Sequence, residues 1–380
     1  MKDKLKEICY INPVNLDNLN FDEYGLLKPT GTIKNFIYGL RPAHKSGLPV
    51  ISTEYTKNKQ IINHNYGHSG VGYAILFGTV NESIRKFEKK LDQYYIDKDE
   101  EITIIGMGIV GLTTAIKLNE LGYKNIMIIG EDSSDMPSYR AGGLIEFSLT
   151  TIYNRDQFAI MNSLFEESIL EYIKINNDQN HYLKNAVMMV DYFTDLYQKM
   201  AGLDYLAKKG ILPKGKDVIL KVKGVDNEGF AMHHFKTFHV IADNFMKSLK
   251  SKVQQLKIKT IFRKIDSLEE IKSKSIFNCS GLGALYLNND KDMYPICGNG
   301  FELKDQKLDE LPYIIRFQNV PGLENDPING SLYFMPKVSG FIGGSYIKNY
   351  DGKDQAYNRE IVSNLAKRAS YLFKGIKPKF

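Results

Sequence analysis

The hydrophobic pattern along the chain switches between short apolar runs and longer 3.6-residue periods, which predicts an alternating α/β fold. The clearest switch begins at Ile102-Thr-Ile-Ile105, a short run rich in β-branched residues that reads as a strand buried on both faces. Gly106, Gly108 and Gly111 follow in G-x-G-x-x-G spacing. A helical pattern then extends to Leu121, with Gly122 placed to cap it. Asn125 to Ile129 is a second apolar strand, ending at Gly130-Glu131-Asp132. Further strands are expected at Ile33–Leu40, Gln60–Ile62, Lys257–Ile265, Ile276–Asn278, Ser331–Pro336 and Gly340–Ser345. Helices are expected over Ala74–Leu91, from Gly229 through Leu249, and up to about Lys374. Residues 151–225 read as helical and then irregular. Residues 1–40 are polar, with Asn12-Pro13, Lys28-Pro29 and Gly31 as breakers, and Asp92 to Glu101 is a charged linker.

The glycine turn has a definite physical use. The first glycine permits the tight turn, the second lets the backbone approach a pyrophosphate, and the third lets helix and strand pack closely. The helix N-terminus then faces the anion. The pattern also occurs in purely structural strand-turn-helix units, so the second strand matters. Glu131 lies 25 residues after Gly106, where an acid holds a ribose 2′-hydroxyl, which points to FAD or NAD rather than NADP. A second glycine-rich junction, Asn63-His-Asn-Tyr-Gly-His-Ser-Gly-Val-Gly-Tyr73, precedes the helix that starts at Ala74 and is another place for negative charge. His64 and His68 are four apart, but Asn65-Tyr-Gly67 opposes the helical geometry that metal ligation would need, so no metal is expected.

Composition narrows the class. With 380 residues, 43% hydrophobic and 12% aromatic, the chain has enough material for two domains of a globular enzyme. The net charge of +6 is spread among acids, so no nucleic-acid surface is expected. Cys9, Cys279 and Cys297 do not suit a disulfide framework. The N-terminus has no signal-like apolar region, no stretch of 18 apolar residues exists, and Lys377-Pro-Lys-Phe380 is not a peroxisomal address. A cytoplasmic protein without membrane spans is the expectation.

Arg41-Pro42 followed by His64-Asn-Tyr-Gly-His-Ser-Gly-Val-Gly72 resembles a segment of the D-amino-acid oxidase family of FAD enzymes. In that family the segment closes the chain, whereas here it precedes the dinucleotide turn. The remaining motifs follow in family order: Arg140-Ala-Gly-Gly-Leu144, Ile276-Phe-Asn-Cys-Ser-Gly-Leu-Gly283, Ser331-Leu-Tyr-Phe-Met-Pro336 and Gly340–Ser345. The resemblance covers residues 33–380 and implies a circularly permuted member. It implies a mixed α/β fold with a Rossmann-like FAD-binding domain and an antiparallel-sheet substrate domain. The FAD domain is expected from residues 41–150 and 226–295, and the substrate domain from 151–225, 296–380 and about 1–40.

By resemblance, Arg41 would pair bidentately with a substrate carboxylate and the Tyr333 hydroxyl would bond the same group. Gly70 and Asn329 would also face the substrate. Gly106, Gly108, Gly111 and Glu131 would hold the ADP half of FAD. Ser138, Gly142, Gly143, Leu144, Ile265 and Ser280 would line the rest of the cofactor. Ser69, Gly70 and Gly72 would aim backbone amides at the flavin. The implied reaction is oxidation of the Cα–N bond of a D-amino acid, glycine or an N-methyl amino acid, with molecular oxygen as acceptor. Some positions depart from the family pattern. Ser69 stands where glycine is common, and Asn329 where some members have a lid tyrosine. Lys337, read as a surface lysine, stands where several have arginine, and Glu146 falls near the pocket with a suggested preference for a basic or secondary amine. An NAD-dependent dehydrogenase and a non-catalytic flavin-binding interaction protein are the competing readings. The oligomeric state is not legible.

Overall fold

The computed structural model describes the chain except for residues 1–6, 18, 29–32, 148–153, 197–199, 227, 305, 319, 321–330 and 377–380. In chain order, β1 (Ile8–Ile11), β2 (Ile33–His44), β3 (Val50–Tyr55) and β4 (Ile61–Tyr66) lead into α1 (Leu76–Tyr94). The glycine-turn unit follows as β5 (Ile102–Ile105), α2 (Ile109–Glu120) and β6 (Ile126–Gly130), then a short α3 (Pro137–Arg140). Next come α4 (Arg155–Asn177), β7 (Val187–Asp195), α5 (Ala201–Lys208), β8 (Lys216–Val222), β9 (Phe230–Val240) and α6 (Ala242–Gln255). The rest comprises β10 (Lys259–Phe262), β11 (Ser275–Asn278), α7 (Ala284–Leu287), β12 (Met293–Leu303), β13 (Tyr313–Phe317), β14 (Leu332–Met335), β15 (Phe341–Gly343), β16 (Ile347–Lys348) and α8 (Gln355–Lys374).

Two sheets organise these elements. A six-stranded sheet runs β10-β6-β5-β11-β4-β3, parallel throughout except for the antiparallel edge strand β3. A ten-stranded, mostly antiparallel sheet runs β1-β8-β9-β7-β13-β14-β15-β12-β16, with β2 paired along β12. The mixed α/β class expected from the pattern is what forms. β5 is buried at every position, as a central parallel strand must be. A large apolar core joins α1, α2, α4 and α6 to the six-stranded sheet and to one face of the larger sheet. A second core lies under α8, on the other side.

Several expectations are corrected. Residues 230–240 form strand β9 rather than the start of a helix; the helix begins only at Ala242. Buried Phe230, Met232 and Phe235 and the paired neighbours β7 and β8 outweigh the helical reading. The region 151–225 is regular for much of its length, with α4, β7, α5 and β8. β4 continues through His64 to Tyr66, so that histidine lies on a strand and not in the loop. Among the described N-terminal residues, β1 pairs in parallel with β8, and Val14, Leu16 and Leu27 are buried in the core beneath α8.

One helix contact is tight enough to test. A Cβ on Gly78 of α1 would lie 2.1 Å from the Leu164 carbonyl oxygen of α4. Gly78→Ala is expected to lower stability by about 2–3 kcal/mol through overpacking, read as a reduced urea midpoint at unchanged m-value. Two buried histidines set an acid limit. Burial pushes the pKa of His68 down to about 4, and burial together with Lys337 pushes His239 to about 3. Both are therefore neutral in the fold, while the unfolded chain takes up their protons near pH 6.5. Their contribution is full above that pH and is lost as pH falls through the window below it. Unfolding free energy measured from pH 7 to 4.5 should fall with proton uptake, and His239→Gln should remove about one proton of it.

Candidate active site

The carboxyl ends of β4, β5, β6 and β11 converge on the face of the large sheet that carries β2, β12 and β14, and a single cavity of about 1250 Å³ runs between them. A crevice at the carboxyl ends of parallel strands is where such sheets bind ligands, because the adjoining loops and helix N-termini open there. One end is lined by the glycine turn, Glu131, Arg263, Lys264 and Ile265; the other by Arg41, Tyr333, Glu146 and Arg316.

The dinucleotide end is built by close backbone approaches. Gly106 has φ +111 and passes Cys279, whose carbonyl oxygen would lie 2.5 Å from an added Cβ. A Cβ on Gly111 would lie 2.0 Å from the Gly106 oxygen, so the helix can sit on the turn only with glycine there. Gly108 is the N-cap of α2 and supplies no side chain. The Ser138 hydroxyl accepts from the Ile109 amide at 3.0 Å, and the Ser138 carbonyl accepts from Tyr73 Oη at 2.8 Å. Gly142 passes against Met335 and Gly143 against the Val240 carbonyl, which ties this loop to β9; Leu144 bridges to His239. Ser280 donates its hydroxyl to Asn278 Oδ1 at 2.6 Å. Glu131 is exposed and Ile265 buried, both on the cavity wall.

The other end depends on the register of the large sheet. Gly39 and Arg41 on β2 lie opposite Gly298 and Ile296 on β12. Gly300, two residues beyond Gly298, pairs with Gly343 on β15; Gly343 pairs with Tyr333 on β14, and Tyr333 with Arg316 on β13. Paired residues share a face, as do residues two apart. Arg41, Tyr333 and Arg316 therefore project from one face, separated by a lane of glycines. Both side chains use that lane. A Cβ on Gly298 would lie 2.5 Å from Arg41 Nη1, and one on Gly343 would lie 2.6 Å from Tyr333 Oη. The Arg41 stem also passes Gly70, whose Cβ would lie 2.5 Å from Arg41 Cδ. Arg41 Nη1 is buried without a hydrogen-bond partner, the Asn65 amide likewise, and Tyr346 stands 5.7 Å from the guanidinium carbon.

The helix-leading loop closes this end. Ser69 has φ +53 and Gly70 φ +90, two successive left-handed residues that turn the chain from β4 toward α1. Ser69 holds this conformation without being glycine, and its amide bonds the Pro42 carbonyl at 2.7 Å. His68 contacts Thr79 Oγ1 at 3.3 Å, and His64 contacts Glu54 and Asn278, each at 3.3 Å. Lys337 corrects the surface reading: it is buried, 3.4 Å from the Tyr139 carbonyl and 3.6 Å from Glu302, outside the lining of the main cavity. Asn329 lies outside the described residues. Gly298, Gly343 and Arg316 were missed as site residues. Glycines within strand patterns and a lone arginine in the apolar run Tyr313–Phe317 were the available signals.

Among solved structures, the chain is similar to fructosamine oxidase (Amadoriase II) from Aspergillus fumigatus in complex with FSA, at 15% identity and TM-score 0.44, covering 66% of this chain and 64% of that one. It thus spans less than two thirds of that enzyme's length. It is also similar to glycine oxidase from Bacillus cereus (15% identity, TM-score 0.48) and L-proline dehydrogenase from P. horikoshii (14%, 0.48), each with 73% of this chain and 78% of that chain covered. A model of the family described as DAO, FAD dependent oxidoreductase, matches residues 101–379, well over half of the chain. The chain therefore belongs to the DAO family of FAD-dependent oxidoreductases, and FAD is its cofactor.

Proposed function

We propose that this flavoenzyme oxidises the Cα–N bond of a D-amino acid, glycine or an N-methyl amino acid. The observation that carries the reading is Arg41, half-buried on the cavity wall with its Nη1 buried and unpartnered. A buried donor without a partner is costly, and a carboxylate is the group the planar guanidinium donors fit best. The residues fit FAD: the cavity extends from Glu131 to Arg41 and passes the glycine turn on the way. Gly106, Gly108 and Gly111 would admit the pyrophosphate, with Glu131 near the ribose and Ile265 near the adenine. Ser138, Gly142, Gly143, Leu144 and Ser280 would line the middle. The six-stranded sheet, from residues 41–150 and 226–295 apart from β9, would hold the FAD half. The ten-stranded sheet would hold the substrate half.

When bound, FAD supplies the two-electron acceptor for a hydride from Cα. Arg41 would hold the substrate carboxylate, and Tyr333, lying across Gly343, would donate to the same group. This two-point hold would fix the carboxylate plane and so limit where the Cα–H bond can point, and positioning is the main contribution such a site makes. His68, neutral by burial, adds no competing charge. The Ser69 amide, expected to face the flavin, is instead taken by the Pro42 carbonyl at 2.7 Å, so the amides of Gly70 and Gly72, ahead of α1, would make that wall favourable to negative charge. The Cα–H bond breaks with its electron pair while the nitrogen lone pair forms C=N. Water would then hydrolyse the C=N bond to a 2-oxo acid and ammonia, or methylamine from an N-methyl amino acid, and molecular oxygen would take up the electron pair with two protons as hydrogen peroxide.

The family match begins at residue 101, after the Arg41 segment. That segment nevertheless pairs β2 with β12 and β4 with β11, which supports circular permutation of the family order.

Purified protein should be yellow, and anaerobic addition of its amino acid should bleach the flavin. Arg41→Ala should lower kcat/KM about 10- to 100-fold through loss of a charge-assisted pair, with FAD content unchanged. Gly298→Ala, whose methyl would enter the guanidinium's place, should raise the substrate dissociation constant by about tenfold in the same assay. Full bleaching at wild-type rates in Arg41→Ala would overturn the assignment.

A further inference from the structure

Beside Arg41 and Tyr333 the cavity wall carries a charged pair, Arg316 and Glu146, that a carboxylate clamp does not need. Arg316 lies directly across from Tyr333, on the side away from Arg41. Its Nη1 donates to Glu146 Oε1 at 2.8 Å, and Glu146 comes from the loop that follows Leu144. Glu146 is only 9% exposed, yet its second oxygen, Oε2, is buried with no partner. Burial raises the carboxyl pKa and Arg316 draws it part of the way back. A buried carboxylate oxygen without a donor is a vacancy in the hydrogen-bond accounting, and both residues line the same cavity as Arg41.

We infer that Glu146 and Arg316 form a side-chain subsite for a neutral hydrogen-bond donor, a hydroxyl or a primary amide, on the amino-acid substrate. The inference rests on the amino-acid reading proposed above. It follows from charge balance. The substrate carboxylate cancels Arg41, and Glu146 cancels Arg316. Of the other charged residues of the cavity wall, Glu131, Arg263 and Lys264 lie toward the dinucleotide end, and Arg140, packed against Gly39 of β2, is already paired with Asp135 at 2.5 Å. A cationic side chain would add an uncompensated charge beside Arg316, and an anionic one would meet the free oxygen of Glu146. An apolar side chain would leave that oxygen without a donor. A neutral O–H or N–H completes it. The Arg316 pair thus removes the reason for a basic-substrate preference that Glu146 alone suggests.

The test uses the FAD-loaded full chain and near-isosteric pairs of either hand, threonine against valine and asparagine against leucine. Anaerobic flavin bleaching gives the apparent dissociation constant of each. The hydroxyl and amide members should bind on the order of tenfold or more tighter than their apolar partners. In Glu146→Gln the ratio should shrink. In the double variant Glu146→Met with Arg316→Met, which replaces the pair by apolar groups and leaves no orphaned charge, it should fall to about one or reverse. Retained FAD absorbance reports folding of each variant. Equal affinities within the pairs in the wild type, a ratio that survives in the double variant, or lysine or aspartate outperforming both pairs would overturn the subsite alone. A flavin that no amino acid bleaches would overturn the oxidase reading and the subsite with it.

Discussion

The site depends on the pairing of β2 with β12. The two strands stay in register from Met293 against His44 to Leu303 against Ile33, with one irregularity near the end. This pairing brings an arginine from the amino-terminal part of the chain onto the same sheet face as Tyr333 and Arg316, which come from residues some 300 positions later. A slip of one residue would turn Arg41 to the other face and remove it from the cavity. The parallel pairing of β4 with β11 anchors the same segment to the second sheet. The segment is thus held on both walls of the cavity, and its position relative to the glycine turn is fixed by backbone hydrogen bonds rather than by loop packing.

Glycine is the means by which that face carries large polar side chains. Arg41 and Tyr333 lie over Gly298 and Gly343 because no side chain occupies those places. The same economy operates at the dinucleotide end, where Gly111 lets α2 settle against Gly106. At both ends the backbone approaches or admits a group that a methyl would exclude. The cost is one guanidinium nitrogen, Arg41 Nη1, kept from water without a partner, a state that favours an anionic ligand.

The dinucleotide unit was legible because each of its signals is local. Strand, glycine spacing, helix and the acid after the second strand lie within about 30 residues, and β5, α2 and β6 form within one or two residues of their expected limits. β9 was misread because Phe230–Val240 carries histidines and a lysine among its apolar residues and runs directly into a helix. Its strand state comes from neighbours β7 and β8, about 40 and 15 residues earlier in the chain. Lys337 was misread for a related reason: burial beside Glu302 and the Phe341 ring is a property of the packed sheet and leaves no periodic trace.

By itself, the sequence determined the α/β class, the glycine turn and its acid, and the residue types able to bind a carboxylate. Those properties reside in short stretches, where spacing and propensity act over one or two turns of chain. Only the tertiary structure decided that Arg41, Tyr333 and Arg316 share a face, that Glu146 meets Arg316 with one oxygen left over, and that Lys337 is withdrawn from the main cavity. These depend on strand register and on contacts between segments far apart in the chain, and side-chain alternation within each strand is the same whichever partner it finds.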